Sequence, residues 1–299
     1  MSVEQSVEHV VFERGDLRFS ALAIGEGPVV LCLHGFPDDL HSFRYQLPVL
    51  AKAGYRAISL ALRGYEPASI PDSGDYTVES IATDIIAVVD QLGSDPVHLI
   101  GHDWGAAVAY TAAAAAPERF ESLITMAVPH PGRFAREGLR IFKQLRNSWY
   151  MGFFNVPQIS DWFVCRRDYA FIRKLWRDWS PGWTPEAHVL ERVIDSLSQP
   201  GVLSAALGYY RAALSLKALT IAAEEAYYPV PVPLLALTGE QDGCIDSAVF
   251  ERLMKREDFP RGLKLERIAG AGHFLHQEQP DVVNRLILRW MENRHAMLD

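Results

Sequence analysis

Little in this sequence points to metals, disulfides, membranes or nucleic acids. Its three cysteines, Cys32, Cys165 and Cys244, are odd in number and far apart. Without a C-x-x-C pair they suggest neither a zinc site nor a disulfide framework. No apolar run reaches the roughly 18 residues of a membrane span, and the charged, alternating start from Met1 to Arg14 lacks the apolar core of a signal peptide. There is no basic excess either: 29 Lys and Arg stand against 37 Asp and Glu, a formal net charge of −8. That balance argues against a nucleic-acid partner and is accounted for by solubility. Internal repeats and low-complexity linkers are absent. The expectation is a reducing, cytoplasmic setting with no membrane or nucleic-acid partner. At 299 residues the chain can hold one large α/β domain with an insertion, or two modest domains.

What is present is an alternation of strand and helix signals. Val10–Phe12 and Leu17–Ala23 flank an Arg14-Gly15-Asp16 turn and predict an antiparallel pair. Val29–Leu33 is a continuous apolar run, the pattern of a strand buried on both faces. Tyr55–Leu60, Val97–Ile100 and Leu123–Val128 predict further strands. Between them, Thr77 or Ser80 can cap a helix carrying Ile81, Ile85, Val88 and Val89 and closed by Gly93. After Pro129-His130-Pro131-Gly132 the periodicity becomes helical, with five of the seven tryptophans (149, 162, 176, 179 and 183) and basic faces such as Arg136, Arg140 and Lys143, read as a solvated surface. From Pro229 the alternation resumes, with strands at Leu234–Leu237 and Leu263–Ile268 and a closing helix over Val282–Met291. The fold class is therefore α/β: a mostly parallel central sheet with helices on both faces and a helical cap inserted in the core. The expected division is 1–132 (core, first part), 133–228 (helical cap) and 229–299 (core, second part).

The most informative motif is Gly101-His102-Asp103-Trp104-Gly105, directly after a strand and before the Ala-rich stretch Ala106–Ala116. This is the context of a nucleophile elbow, a sharp strand-to-helix turn with small neighbours. Its central residue is Asp where Ser is usual, and a carboxylate nucleophile suits displacement at an sp3 carbon through an alkyl-enzyme ester. Ligands in open α/β sheets bind at the C-terminal strand ends. Three more polar motifs follow strands: His34-Gly35-Phe36-Pro37, Asp242 within Thr238–Gly243, and His273 within Gly270–Phe274. The order nucleophile, acid, histidine is that of an α/β-hydrolase triad. In it Asp103 attacks, Asp242 orients and stabilises His273, and His273 activates water. The Phe36 and Trp104 amides form the oxyanion hole expected of an elbow. Asp246 is a rival to Asp242, and His276 a weaker rival to His273. His102, adjacent to the nucleophile, is expected to point away from the pocket.

These motifs resemble the α/β-hydrolase-fold epoxide hydrolases over essentially the whole chain. The resemblance implies two cap tyrosines that protonate the epoxide oxygen. Tyr150-Met151-Gly152-Phe153-Phe154-Asn155-Val156-Pro157 matches the family's Tyr-x-x-x-Phe-x-x-Pro run, and Tyr210-Arg211 its Tyr-Arg pair, with Tyr209 an ambiguous neighbour. Members often carry an acidic residue where this chain has Ala61, a position outside the chemistry. The implied reaction opens an oxirane to a vicinal diol with no metal or organic cofactor. Its partners are a small hydrophobic epoxide and water, in a monomer or homodimer. The pocket is expected from Phe36, Pro37, Trp104, Trp149, Phe153 and Phe274. Two alternatives share the frame. A haloalkane or haloacid dehalogenase uses the same Asp, but usually has Asn at the position of Phe36, or Arg at that of Trp104. A non-catalytic small-ligand sensor would have no need of all five polar residues.

Overall fold

The computed structural model describes residues 6–215 and 228–298. The last stretch of the expected insertion, 216–227, lies outside the described residues. Eight strands form one sheet in the order β1-β2-β4-β3-β5-β6-β7-β8. β1 (Glu8–Arg14) and β2 (Leu17–Ile24) make the expected hairpin, and β2 also runs antiparallel to β4 (Arg56–Leu60). β3 (Val29–Leu33), β4, β5 (Val97–His102), β6 (Phe120–Met126), β7 (Leu234–Gly239) and β8 (Leu263–Ile268) pair in parallel.

Alternation along the strands splits the core in two, because successive side chains point to opposite faces. Leu31, Leu33, Ile58, Leu60 and Leu99 pack with α2 (Val78–Leu92) and α3 (Trp104–Ala115) on one face. Val30, Cys32, Ala57, Ile100 and Ile124 pack on the other, with α1 (Leu47–Lys52) and the C-terminal helix, 280–298, whose Val283, Ile287 and Trp290 are buried. α2 begins where the sequence predicts, with the Thr77 hydroxyl accepting from the Ser80 amide and Gly93 at its end. In mid-helix its buried Asp84 receives a two-pronged bond from Arg63, at 2.6 and 2.7 Å, and a further ion pair from Arg14. That arrangement pins the loop after β4 against α2.

Between β6 and β7 the described residues are helical: α4 (Pro131–Arg136), α5 (Phe142–Asn147), α6 (Trp149–Phe154), α7 (Ile159–Trp179), α8 (Ala187–Ser198) and α9 (Val202–Ala213). α7 is broken at Arg166–Tyr169, where three residues take left-handed backbone angles. These helices lie over the C-terminal strand ends and are bolted there by side chain to backbone bonds. The Trp176 indole donates to the Pro37 carbonyl at 2.8 Å, and the Tyr209 hydroxyl to the Arg63 carbonyl at 2.7 Å. After β7 come α10 (Ser247–Leu253), then β8, α11 (Leu275–Glu278) and the C-terminal helix, α12. Among the described residues no helix is long and apolar enough to cross a membrane.

Candidate active site

Asp103 stands between β5 and α3 with φ 52° and ψ −120°, a backbone region that costs a non-glycine residue about 1–3 kcal/mol. The surroundings enforce it. The Asp103 amide donates to the Met126 carbonyl of β6, and two glycines let the turn close. A Cβ at Gly105 would lie 2.1 Å from the Leu33 carbonyl oxygen, and one at Gly35 would lie 2.4 Å from the Asp103 Cβ. The strained turn thus aims the Asp103 carboxylate under the inserted helices, where the residue is 6% exposed.

One carboxylate oxygen, Oδ1, accepts the Phe36 amide at 2.8 Å. The other, Oδ2, faces His273 Nε2 at 3.5 Å. Of the two amides expected to form an oxyanion hole, that of Phe36 reaches the carboxylate; among the described residues that of Trp104 makes no bond to it. Burial pushes the Asp103 carboxyl up. The nearby His273 imidazole, then His102 and the Phe36 amide, outweigh burial and hold it below the ordinary carboxylate value.

His273 Nδ1 meets Asp242 Oδ2 at 3.0 Å. Asp242 is itself fixed, its Oδ1 accepting the Cys244 and Ile245 amides at 2.8 and 2.9 Å. Burial pulls the imidazole down, but the charge of Asp242 and the nearness of Asp103 raise it to about 10. In the resting site His273 is therefore an imidazolium between two carboxylates. Asp246, the rival acid, is occupied elsewhere: it caps α10 through the Ala248 and Val249 amides and pairs with Lys143. His276 is turned toward Ser42, at 2.8 Å. His102 points behind the nucleophile and donates from Nε2 to the His273 carbonyl at 2.9 Å.

Both expected tyrosines are buried and share one aromatic box. The Tyr150 and Tyr210 rings meet edge-on at 5.7 Å, and Tyr210 also contacts Phe36 at 5.5 Å and Trp104 at 5.0 Å. Its ambiguous neighbour Tyr209 is held by the bond to the Arg63 carbonyl, which anchors α9. The Tyr210 hydroxyl has no well-formed hydrogen bond, although the Trp104 indole is near enough to oppose weakly the rise in its pKa. The Tyr150 hydroxyl is engaged by Cys244 Sγ at 3.2 Å. Burial first, and then neighbouring groups that include the Asp103 carboxylate, push both phenols well above their usual value.

A cavity of about 640 Å³ opens beside the site and is lined by Lys143, Trp149, Tyr150, Trp179 and Asp242 among others. Of the six residues expected to line the pocket, Trp149 alone reaches it. Phe36 and Trp104 instead pack on Tyr210, and Phe274 stacks on Trp176 at 3.9 Å. Pro37 is held through its carbonyl by the Trp176 indole, and Phe153 joins Trp149 and Phe163 farther out. Apolarity alone did not separate a lining residue from one that packs behind it.

Two contributors escaped the sequence reading. Cys244 gave no motif, yet its thiol touches Tyr150. At the end of α7, the Trp179 carbonyl accepts both the Gly243 and His273 amides at 3.0 Å, so one backbone oxygen clamps the acid and histidine loops together. Backbone acceptors leave no residue-type signal. Two triads also place possible ligand atoms within 4.8 Å of one another: Asp103, Cys244 and His273, and behind them Asp38, His102 and His276. The first shares Asp103 and His273 with the candidate catalytic set.

A family model for the alpha/beta hydrolase fold matches residues 28–280, and human "Epoxide hydrolase 4" is 34% identical over 97% of this chain and 80% of its own. The chain belongs to the α/β-hydrolase-fold epoxide hydrolase family. An AB hydrolase superfamily protein of Bacillus subtilis, YfhM, is 31% identical over 93% of this chain and 95% of its own. Among solved structures, an epoxide hydrolase from Bacillus megaterium bound to an inhibitor superposes with a TM-score of 0.83 at 28% identity, over 95% of this chain and all of its own. One from Vigna radiata gives 0.82 at 26%, over 96% and 98%.

Proposed function

We propose that this protein hydrolyses epoxides to vicinal diols through an ester on Asp103. The observation that carries this reading is the placement of two buried phenols, Tyr150 and Tyr210, edge-on to each other and within the field of the Asp103 carboxylate. Phenols held protonated are proton donors for an alkoxide, whereas a departing halide needs no proton.

In the first step Asp103 Oδ2 attacks an oxirane carbon while the Phe36 amide keeps Oδ1. The ring C–O bond breaks, and its oxygen takes a proton from the tyrosine pair. Between the steps the tyrosinate regains a proton and the His273 imidazolium releases one; in the second step water adds to the ester carbonyl, and the now neutral His273, oriented by Asp242, takes its proton. The negative charge that forms on Oδ1 meets the Phe36 amide, and Trp104 supplies the second donor once the carbonyl turns tetrahedral. Collapse breaks the ester C–O bond, the departing oxygen takes the hydroxyl proton of the tetrahedral centre, and the diol leaves with the Asp103 carboxylate and the His273 imidazolium restored. The inserted helices act as a cap that contributes both tyrosines and excludes water from the alkoxide.

The chemistry is tested by incubating the protein with styrene oxide and, separately, with a haloalkane, and measuring diol and halide. Diol from the epoxide supports the proposal; halide without diol assigns the site to a dehalogenase, and binding without turnover to a sensor.

A further inference from the structure

The outer face of the inserted helices is unusual for a surface. Among the described residues nine large hydrophobic side chains are exposed, and seven of them fall within residues 142–163: Phe142, Leu145, Trp149, Val156, Ile159, Trp162 and Phe163. Phe142 is 80% exposed and Trp162 59%. The spacing is that of helix stripes turned outward. Phe142, Leu145 and Trp149 recur at three and four residues along α5 and into α6, and Ile159, Trp162 and Phe163 do so on α7. Ring contacts join the two stripes: Trp149 meets Phe153 at 6.1 Å, and Phe153 meets Phe163 at 5.2 Å. Single exposed apolar residues are ordinary; a joined aromatic face marks a contact surface.

Charge identifies what it contacts. Residues 133–179 hold ten Lys and Arg against four Asp and Glu in a chain whose net charge is −8, with Arg133 and Lys143 paired to Glu257, Asp258 and Asp246 from outside this stretch. Arg140, Lys143, Arg146, Arg166 and Arg167 are exposed along the same helices, and the Arg166 guanidinium lies 4.3 Å above the Trp162 ring. Aromatic and aliphatic side chains interleaved with basic ones are the composition of helices that lie in a lipid interface, the rings among acyl chains and the cations at anionic headgroups.

We propose that this face docks reversibly on an anionic lipid bilayer. No spanning segment is needed, so the absence of one from the described residues does not oppose the contact. The basic faces that the sequence presents as solvated surface become headgroup contacts. Lys143, Arg146 and Trp149 of these same helices also line the cavity beside the site, together with Asp178, Glu240 and Asp246. The docking itself does not depend on the proposed reaction.

The test is co-sedimentation of the full chain with vesicles of 30 mol% phosphatidylglycerol in phosphatidylcholine, against pure phosphatidylcholine, at low and at high salt. Binding should favour the anionic vesicles and weaken with salt. Reversing two charges, as in the double variant Arg140→Glu and Arg166→Glu, should weaken it at least ~10-fold, given about 1 kcal/mol for each basic residue at such a surface. Phe142→Ser with Trp162→Ser should do the same and leave turnover of a water-soluble epoxide unchanged; a melting curve checks its fold, and the charge variant stands if it misfolds. Two results overturn the proposal. One is pelleting that is no greater with anionic vesicles than with neutral ones. The other is a dimer in sedimentation velocity that Phe142→Ser with Trp162→Ser abolishes, which would make the face a contact between copies of this chain.

Discussion

His273 Nε2 faces Asp103 Oδ2 at 3.5 Å across a site closed to solvent, with no hydrogen bond completed between them. The pair is an ion pair at rest, and its consequence is an order of events. While Asp103 is a carboxylate it helps hold the imidazole up at about 10, so His273 cannot serve as a base near neutral pH. In the proposed mechanism, once Asp103 is an ester one of the two raising anions is gone and burial still favours the neutral ring, so His273 can then release its proton and act as the base toward water. Breakdown of the alkyl-enzyme, followed by rapid quench, is therefore expected to rise with pH and level off below pH 10, whereas the resting imidazole, followed by NMR, should titrate near 10. Equal midpoints would contradict this.

The same shifts fix how stability depends on pH. The folded value for His273, about 10, exceeds the roughly 6.5 of an unfolded chain. Its contribution is fully present below about pH 6.5 and is lost as pH rises toward 10. Asp103 is shifted the other way, so its contribution is present above about pH 4 and lost as pH falls through its lowered value. Melting temperature should be highest between these limits, and the alkaline decline should flatten in His273→Gln.

Tyr150 and Tyr210 should behave differently when the hydroxyl is removed. Each Tyr→Phe change should lower the rate of ester formation by roughly 10²–10⁴-fold if the phenol acts as general acid. Tyr210→Phe deletes a buried hydroxyl that has no well-formed bond, so its melting temperature should hold or rise. Tyr150→Phe also breaks a contact with Cys244 and should lose some stability. Single-turnover kinetics with calorimetry separate the two effects.

The Cys244 thiol lies 3.2 Å from the Tyr150 hydroxyl, and if it acts through that phenol the two Cys244 variants should differ. Cys244→Ala should slow ester formation about 3–10-fold, the value of one modest hydrogen bond, and Cys244→Ser should restore most of it by supplying a hydroxyl partner. A purely packing role would give the opposite ranking, since serine is the poorer apolar filler.

Much of the architecture was legible because strands buried on both faces and capped helices leave local signals. Val29–Leu33 and Leu263–Ile268 match their strands residue for residue, and Thr77 and Gly93 bound α2 as read. The positions of Asp103, Asp242 and His273 were legible for a related reason: each follows a strand, and parallel pairing brings strand ends together. The pocket was not. Whether Phe36 or Phe274 lines a cavity or packs behind one is decided by how the inserted helices settle, through contacts such as Trp176 with Phe274 that join residues about a hundred positions apart. The roles of Cys244 and the Trp179 carbonyl depend on similar long-range contacts, and the Trp179 carbonyl has no side-chain signature at all.

The central claim is that Asp103 itself is the nucleophile. It is tested most directly by a single turnover in heavy-oxygen water with enzyme in excess, followed by mass spectrometry of the diol and of the peptide containing residue 103. The mechanism predicts an unlabelled first diol and one heavy oxygen in the Asp103 carboxylate. A labelled first diol with an unlabelled Asp103 would mean that water attacks the epoxide directly, and would contradict the ester.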